Sequence, residues 1–340
     1  MMKPKSGFAA CALALVCAWA SAMATGAESA RTAVFDLQGH RGARGLRPEN
    51  TLAGFAWTLE LGVRTLELDC GVTKDGVVVV SHDSSLNPDI TRDSGGKFLE
   101  QAGPPLHALT FAELQQYDVG RIRPGSDYAA RFSEQQPVDG QRIPRLADVY
   151  ALVQRSGNRE LRFNIETKLD PLQPELTAAP KPFVEALLAV IRGSGMESRT
   201  TVQSFDWRTL ALVRQLAPEI VTVALTDQQP GEDSMEVGKP GASPWLGGLD
   251  VDDYGDSVPK AVMAIGAEVW SPHALDLDER LVAEAHRLGL AVVPWTVNDP
   301  KHMERILALG VDGLISDRPD LLRSLLETKG IAVPSPTPMR

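Results

Sequence analysis

The chain is poor in cysteine and in positive charge, and each shortage excludes a class of protein. It has 3 cysteines in 340 residues, too few for a small fold held together by disulfides. Its 34 lysines and arginines are outnumbered by 44 aspartates and glutamates, which gives a formal net charge of −10. Binding to nucleic acid or to an anionic lipid surface needs concentrated positive charge, so neither partner is expected. A hydrophobic content of 43% excludes wholesale disorder.

The first residues have the pattern of a secretory signal peptide. Lys3 and Lys5 precede an apolar stretch over residues 8–19, and small residues follow up to Ala24. The stretch is short for a membrane-spanning helix, and the order basic, apolar, small is typical of a cleaved signal. We therefore expect residues 1–24 to be removed and the mature chain to be periplasmic or secreted, without a stable membrane span.

After the signal, short β-branched runs alternate with amphipathic stretches, which is the pattern of strands joined by helices. The predicted strands are Val34–Gln38, Arg64–Val72, Val77–Ser81, Leu161–Ile165, Thr200–Ser204, Val221–Leu225, Ala267–Trp270, Ala291–Trp295 and Gly313–Ser316. The predicted helices are Thr51–Leu61, Pro182–Arg192, Trp207–Leu216, Val258–Ile265, Asp278–Leu288, Pro300–Leu309 and Pro319–Glu327. Strands that alternate with single helices pair in parallel, and eight such units close into a (β/α)8 TIM barrel, the fold predicted for residues 34–328.

Nine predicted strands exceed the eight positions of such a barrel. A turn that contains Gly76 joins residues 64–72 to residues 77–81, so these two strands are expected to form an antiparallel hairpin. Residues 84–141 are rich in Asp, Gly, Pro and Gln and are too long for a bare loop. We interpret them as a small inserted subdomain near the barrel mouth. The proline-rich residues 329–340 are expected to form a flexible tail.

Three acidic residues are predicted to meet at the barrel mouth, where the C-terminal ends of the strands supply the reacting groups. Glu67 and Asp69 lie two residues apart in one strand and so point to the same face. Glu166 ends the next barrel strand. Unpaired charge inside a barrel is unfavourable, so these carboxylates call for a cation. Oxygen ligands without cysteine suit one hard divalent ion, Ca²⁺ or Mg²⁺, rather than zinc.

Two histidines are expected at the same mouth. His40 and Arg41 follow the first strand, and His82 follows the returning arm of the hairpin. One histidine could deprotonate an attacking hydroxyl and the other could protonate the leaving alkoxide, while the metal and Arg41 neutralise the phosphoryl oxygens. This set favours cleavage of a phosphodiester. Phe205 and Trp295 also end strands, where they fit either core packing or the walls of a substrate cleft.

An ordered set of motifs resembles the glycerophosphodiester phosphodiesterase family. The motifs are His40-Arg41-Gly42, Arg47-Pro48-Glu49-Asn50-Thr51, Glu67-Leu68-Asp69, Lys74-Asp75-Gly76, His82-Asp83, Glu166-x-Lys168, Gln203-Ser204-Phe205, Trp295-Thr296-Val297-Asn298 and the closing segment from Gly310 to Pro319. The match follows the family's order from about Phe35 to Pro319. The family has a (β/α)8 barrel with a small insertion after its His-Asp motif.

The resemblance implies metal-dependent hydrolysis of a small-molecule glycerophosphodiester to glycerol 3-phosphate and an alcohol. Carried over by position, His40 and His82 are the acid/base pair, and the metal ligands are Glu67, Asp69 and Glu166. Arg41 and Lys168 would face the phosphate, and Glu49 would brace the site through Arg41. Secretion favours Ca²⁺ as the single divalent ion, and Mg²⁺ remains the alternative.

Two other functions are compatible with the same motifs. One is a lysophospholipase D-type phosphodiesterase, which would need an apolar groove or an amphipathic helix beside the mouth. The other is a barrel that binds phosphodiesters without cleaving them. That protein would be expected to lack a histidine or a metal ligand, and this sequence retains the full set.

Overall fold

Eight parallel strands form the barrel in the computed structural model, which describes residues 34–339. The signal peptide predicted for residues 1–24 lies outside the described residues. The eight strands are β1 (Asp36–Gly39), β2 (Thr65–Val72), β4 (Arg162–Thr167), β5 (Thr200–Ser204), β6 (Val221–Thr226), β7 (Val269–Pro272), β8 (Ala291–Val292) and β9 (Gly313–Ser316). They follow one another in the order β8-β7-β6-β5-β4-β2-β1-β9, and every neighbouring pair in this order is parallel. The predicted (β/α)8 architecture is confirmed.

The barrel closes between β8 and β9 through backbone hydrogen bonds rather than a regular ladder. The amide of Asp312 donates to the carbonyl of Val292 at 2.9 Å, and the amide of Ile315 donates to that of Pro294 at 3.0 Å. The strand predicted for residues 291–295 is too long, since β8 ends at Val292. The residues after it still run beside β9, as the hydrogen bond to Pro294 shows. The ninth strand, β3 (Val78–Val80), pairs antiparallel with β2, so the predicted hairpin is confirmed.

One barrel helix escaped the sequence prediction. The helices are α1 (Leu52–Leu61), α2 (Phe111–Leu114), α3 (Asp127–Arg131), α4 (Leu146–Ser156), α5 (Pro180–Gly193), α6 (Trp207–Leu216), α7 (Val258–Ala264), α8 (Glu279–Arg287), α9 (Pro300–Ala308) and α10 (Pro319–Thr328). Helix α4 supplies the crossover between β3 and β4, and no helix had been predicted there. Among the described residues, no helix is long and apolar enough to cross a membrane.

Residues 84–141 contain the two short helices α2 and α3. Apolar side chains of this segment form a cluster separate from the main core, built around Leu86, Leu106, Leu114 and Val119. Val79 of β3 and Ile143, which lies just before α4, complete this cluster. The segment therefore packs beside the hairpin on the side of β3, and its assignment as an inserted subdomain stays a prediction.

The turn after β1 brings the first motif to the barrel mouth. Gly39 ends the strand, and a Cβ atom built there would lie 2.0 Å from the carbonyl oxygen of Gly42. Thr51 then caps α1, since its side chain accepts a hydrogen bond from the amide of Gly54 at 3.0 Å. A tight turn and a capped helix thus hold His40 and Arg41 over the strand ends.

Candidate active site

Glu67, Asp69 and Glu166 meet at the mouth as the sequence predicts. One carboxylate oxygen from each lies within 4.8 Å of the others, and all three side chains are buried. The register explains this arrangement. Glu67 and Asp69 lie two residues apart on β2 and so point to the same face, and Asp69 is paired with Glu166 on β4. Adjacent parallel strands therefore hold three oxygen donors around one point.

The arrangement fits a hard divalent cation. Among the described residues, Asp69 Oδ1 is buried without a hydrogen-bond partner, which is unfavourable unless a cation completes the site. Burial and the neighbouring charge of Asp69 raise the pKa of Glu67 well above its usual value. Burial raises the pKa of Glu166 to about 7, although Lys168 acts in the opposite direction. Three buried carboxylates at this spacing are the oxygen set that Ca²⁺ or Mg²⁺ prefers.

Arg41 is held between the carboxylates and the cavity. Its guanidinium donates to Glu49 at 2.8 Å and lies 3.4 Å from Asp69, while its backbone amide donates to Glu67 at 2.8 Å. The backbone of Arg41 is left-handed, with φ of 51°. Burial disfavours its charge, but Glu49 and Asp69 raise its pKa overall. Arg41 is therefore a fixed cation, and Glu49 braces it as predicted.

His40 is oriented by a carboxylate from the last strand. Its Nδ1 lies 2.6 Å from Asp317 Oδ1, and Asp317 also accepts hydrogen bonds from Arg44 and Asn298. With Nδ1 engaged, Nε2 is the ring nitrogen available to a substrate, and it lies 3.9 Å from Glu67. Burial lowers the pKa of His40, while Asp317 acts to raise it.

His82 has the same arrangement on the opposite arm. Its Nδ1 lies 2.8 Å from Asp83 Oδ1, and its side chain is 30% exposed to the cavity. Partial burial, together with the positive charges of Arg41 and Lys168, lowers the pKa of His82 well below its usual value. Both histidines line one cavity, and the lowered pKa values favour their neutral form.

Lys168 contributes a second cation to the same cavity. Its Nζ donates to Glu166 Oε1 at 2.8 Å. Burial opposes the charge of Lys168, but Glu166 and Asp69 raise its pKa overall, so the ammonium stays protonated. Arg41 and Lys168 line the cavity from two sides, where an anionic group would meet both.

Phe205 and Trp295 are cavity walls. Both line the cavity that contains His40 and His82, which measures about 360 Å³. Their ring centroids lie 5.3 Å apart in an edge-to-face arrangement. The sequence allowed either core packing or a place in the walls of a cleft for these two residues. Both are half-buried at the mouth.

Several residues of the site were not among the sequence predictions. Asp317 binds His40, Gln203 donates to Glu67 at 2.7 Å, and Asn50 donates to Asp69 at 2.9 Å. Tyr128 of α3 donates to Glu49. Asp317, Gln203 and Asn50 all lie in motifs that the sequence analysis quoted. The position of Gln203 and Asp317 at strand ends was a usable signal, whereas Asn50 lies in the loop before α1. Tyr128 lies in the segment 84–141, where no periodic pattern indicates which residue turns back to the barrel.

The mouth places two imidazoles beside two fixed cations and three buried carboxylates. Cations that can stabilise negative charge on a substrate, next to imidazoles at the mouth of such a barrel, indicate the class of phosphodiesterases. The chain belongs to the glycerophosphoryl diester phosphodiesterase family, whose sequence profile matches residues 40–321.

Known relatives cover nearly all of the described chain. The glycerophosphodiester phosphodiesterase of Caldanaerobacter subterraneus subsp. tengcongensis is 30% identical over 294 residues, which are 86% of this chain and 97% of that protein. A solved structure from Silicibacter pomeroyi, assigned as a glycerophosphoryl diester phosphodiesterase, is 38% identical with a TM-score of 0.78, covering 88% of this chain and 96% of that one. An Oleispira antarctica phosphodiesterase, solved with the product sn-glycerol-3-phosphate, shares the fold at 20% identity, with a TM-score of 0.61 and coverage of 85% and 96%.

Proposed function

We propose that this chain hydrolyses glycerophosphodiesters to glycerol 3-phosphate and an alcohol, with a divalent cation held by Glu67, Asp69 and Glu166. The observation that carries the proposal is that these three buried carboxylates and both histidines share one cavity. The membership of the family supports the reaction class. The complex of the Oleispira relative with sn-glycerol-3-phosphate supports this product.

Arg41 and Lys168 would bind the phosphodiester. Both are cations that line the cavity. Because their pKa values are raised, both are already protonated when they bind a phosphate oxygen. When bound, the divalent ion neutralises negative charge that develops on the phosphoryl group. Glu49 keeps the guanidinium of Arg41 in place, because it accepts a hydrogen bond from it at 2.8 Å.

His40 and His82 would carry the protons. One imidazole accepts a proton from the attacking water, whose oxygen forms the new bond to phosphorus. The other donates a proton to the oxygen of the departing alcohol as its bond to phosphorus breaks. Asp317 and Asp83 hold the Nδ1 atoms, so each Nε2 is the atom that exchanges the proton. Either histidine can act as the acid or as the base, since both have a carboxylate partner and a lowered pKa.

Ca²⁺ is the ion we propose, with Mg²⁺ as the alternative. The signal-like pattern at the start of the chain supports a periplasmic or secreted protein, and Ca²⁺ is abundant outside the cytosol. The three carboxylates accept either ion, because both prefer oxygen ligands.

The test is a panel of glycerophosphodiesters with coupled detection of glycerol 3-phosphate. We expect product from glycerophosphocholine or glycerophosphoethanolamine with added Ca²⁺, less product with Mg²⁺ and none with excess EGTA. A His40→Ala protein purified in the same way controls for contaminating hydrolases. Absence of glycerol 3-phosphate from every substrate with either ion would overturn the proposal and favour a barrel that only binds phosphodiesters.

A lysophospholipase D-type activity is the second candidate. Leu172 and Leu275 are 64% and 59% exposed, and they lie in the loops that follow β4 and β7 at the mouth. Such exposed side chains could contact an acyl chain at a lipid surface. Faster turnover of lysophosphatidylcholine than of glycerophosphocholine, reduced by Leu172→Ser with Leu275→Ser, would favour this activity. Equal or slower turnover favours the water-soluble diester.

A further inference from the structure

A second cavity continues from the catalytic one toward β6 and its loop. It measures about 390 Å³ and shares seven lining residues with the catalytic cavity, which are His82, Asp83, Glu166, Lys168, Phe205, Glu232 and Trp295. Because both cavities have these walls in common, one ligand can occupy them together. A diester whose phosphate lies at Arg41 and Lys168 would extend one of its two alcohols into the second cavity.

Three aromatic rings line this second cavity. Phe205 stands edge-on to Trp295 at a centroid distance of 5.3 Å and edge-on to Trp245 at 6.3 Å. All three side chains are half-buried and reach the cavity. Aromatic faces arranged in this way attract a positively charged group, and tryptophan does so most strongly.

Three carboxylates at the same cavity form no ion pair with any residue in the part of the chain that the structure describes, and they are Asp170, Asp227 and Glu232. Asp227 follows β6 and is 5% exposed, and Glu232 belongs to the same loop and is exposed. Burial raises the pKa of Asp227, although the amide of Gln229, which donates to it at 2.7 Å, and the nearby His273 act in the opposite direction.

The nearby acid Asp276 is already satisfied within the protein. Its Oδ2 accepts a hydrogen bond from the amide of Gln228 at 2.9 Å, and its Oδ1 accepts one from the side chain of Gln229. Asp227, His273 and Asp276 lie close enough together to share a metal ion, but these hydrogen bonds already occupy part of the acceptor capacity of Asp276. The aromatic rings beside Asp227 suit an organic cation instead.

We propose that Phe205, Trp245 and Trp295, with Asp227 and Glu232, bind the cationic head group of the substrate, so that the preferred alcohol carries a quaternary ammonium. This inference rests on the proposed hydrolysis of glycerophosphodiesters and adds the class of alcohol. The site then has two ends of opposite character. One end, at Arg41 and Lys168, takes the phosphate, and the aromatic and acidic end takes the ammonium, so a zwitterionic diester is bound in one orientation.

A pair of substrates that differ only in charge tests the inference. Glycerophosphocholine is compared with its 3,3-dimethylbutyl analogue, in which carbon replaces the ammonium nitrogen and the shape is kept. We expect kcat/KM to favour the charged diester by roughly tenfold in the wild-type protein, the size expected for a desolvated cation on tryptophan. Trp245→Leu, which keeps an apolar side chain but no ring, should reduce this preference about fivefold.

Charge variants separate the carboxylates from the rings. Glu232→Gln should reduce the preference about twofold at low salt and less at high salt, because the side chain is exposed and screened. Glu175→Gln is the matched control, since Glu175 is an exposed acid that follows β4 outside the cavity. That control should leave the preference unchanged.

The outcomes distinguish this inference from the function on which it rests. If the wild-type protein cleaves both substrates equally well, the cation site is wrong while the hydrolase stands. An equal loss on both substrates in Trp245→Leu would also overturn the cation site, because the ring would then pack against carbon alone. If neither substrate releases glycerol 3-phosphate, the proposed function itself fails.

Discussion

Asp317 gives His40 its orientation and part of its basicity. The two side chains lie 2.6 Å apart, and Asp317 is buried beneath Arg44 and Asn298. The carboxylate therefore fixes the ring nitrogen that faces the cavity and favours the protonated imidazole that forms during proton transfer. The arrangement is comparable with the aspartate–histidine pair of the serine hydrolases.

The substitution Asp317→Asn should disable His40 while keeping the fold. We expect kcat to fall by roughly 10⁴-fold with a much smaller change in KM, as for the corresponding change in a serine hydrolase. Asp317 acts to raise the pKa of His40, so its loss should move the ionisation of His40 to lower pH in the pH–rate profile. Circular dichroism and the melting temperature check the fold. A near wild-type kcat would show that Asp317 has no role in proton transfer.

A substrate with a good leaving group can separate the roles of His40 and His82. A p-nitrophenyl ester of glycerol phosphate needs no protonation of its leaving oxygen, so the variant that lacks the acid should recover on it. We expect one of His40→Ala and His82→Ala to recover by at least about tenfold relative to glycerophosphocholine, and the other to stay inactive. Equal loss of both variants on both substrates would contradict the division into one acid and one base.

The place of the candidate site residues was predictable because they lie in or directly after strands. Glu67 and Asp69 lie on one face of β2, and His40 follows β1, so the barrel rule alone brings them together. The partnership of His40 with Asp317 depends on closure of the barrel, which places β9 beside β1. Two residues 277 positions apart become neighbours only through that closure, and sequence spacing alone does not indicate it.

Among the elements that carry the site, β1 and its turn leave little room for change. A Cβ atom at Gly39 would lie 2.0 Å from the carbonyl oxygen of Gly42 and 2.8 Å from Cγ2 of Thr58. Contacts this short force the backbone of the turn to shift. The same turn carries His40 and Arg41, so the shift reaches the site directly.

Gly39→Ala should therefore destabilise the barrel and lower activity together. We expect a loss of about 2–3 kcal/mol in the free energy of unfolding, together with a large fall in kcat/KM. Gly76→Ala is the matched control: its φ is 79°, but a Cβ atom there meets nothing within 4 Å. Only the left-handed backbone opposes that change, at about 1 kcal/mol, and activity should be retained. Equal effects of the two substitutions in chemical denaturation would refute the steric argument.

Helix α4 shows where the sequence prediction of elements failed. Its apolar residues Leu146, Val149, Tyr150 and Val153 have helical spacing and are buried, so a periodic signal was present. It follows directly on residues 84–141, whose polar composition hides the start of a barrel helix. The regular units later in the chain, such as β5 with α6, were predicted with their observed boundaries because each strand is followed at once by its helix.

At the scale of the whole molecule, part of the excess of acidic side chains lies inside the barrel. Glu67, Asp69 and Glu166 are buried together, and their mutual repulsion opposes folding unless a proton or a metal ion neutralises it. The raised pKa values of Glu67 and Glu166 show that protons do so in the absence of metal. Protons and a divalent cation therefore compete for one site that affects the stability of the whole fold.

This competition predicts how the melting temperature depends on pH and Ca²⁺. A carboxylic acid whose pKa is raised by folding stabilises the protein at low pH, and the contribution is lost as pH rises through the raised value. Folding raises the pKa of Glu166 from 4.5 to about 7, so the melting temperature in EGTA should fall as pH rises from about 4.5 to about 7 and should level off above that range. Asp69 does not change that slope, because its pKa is lowered by His82, Arg41 and Lys168 despite its burial.

Saturating Ca²⁺ should offset that fall, because it binds the deprotonated carboxylates of the folded protein alone and so adds more stability as pH rises, about 2.7 kcal/mol where its concentration reaches 100 Kd. The difference in melting temperature between Ca²⁺ and EGTA should thus grow with pH, measured at one scan rate. Glu67→Gln should lose most of the difference, since it removes one ligand. Asp253→Asn is the matched control, as Asp253 is an exposed acid in the loop before α7, and it should keep the full difference. If Ca²⁺ raised the melting temperature equally at every pH, or equally in both variants, its site would lie outside the three buried carboxylates.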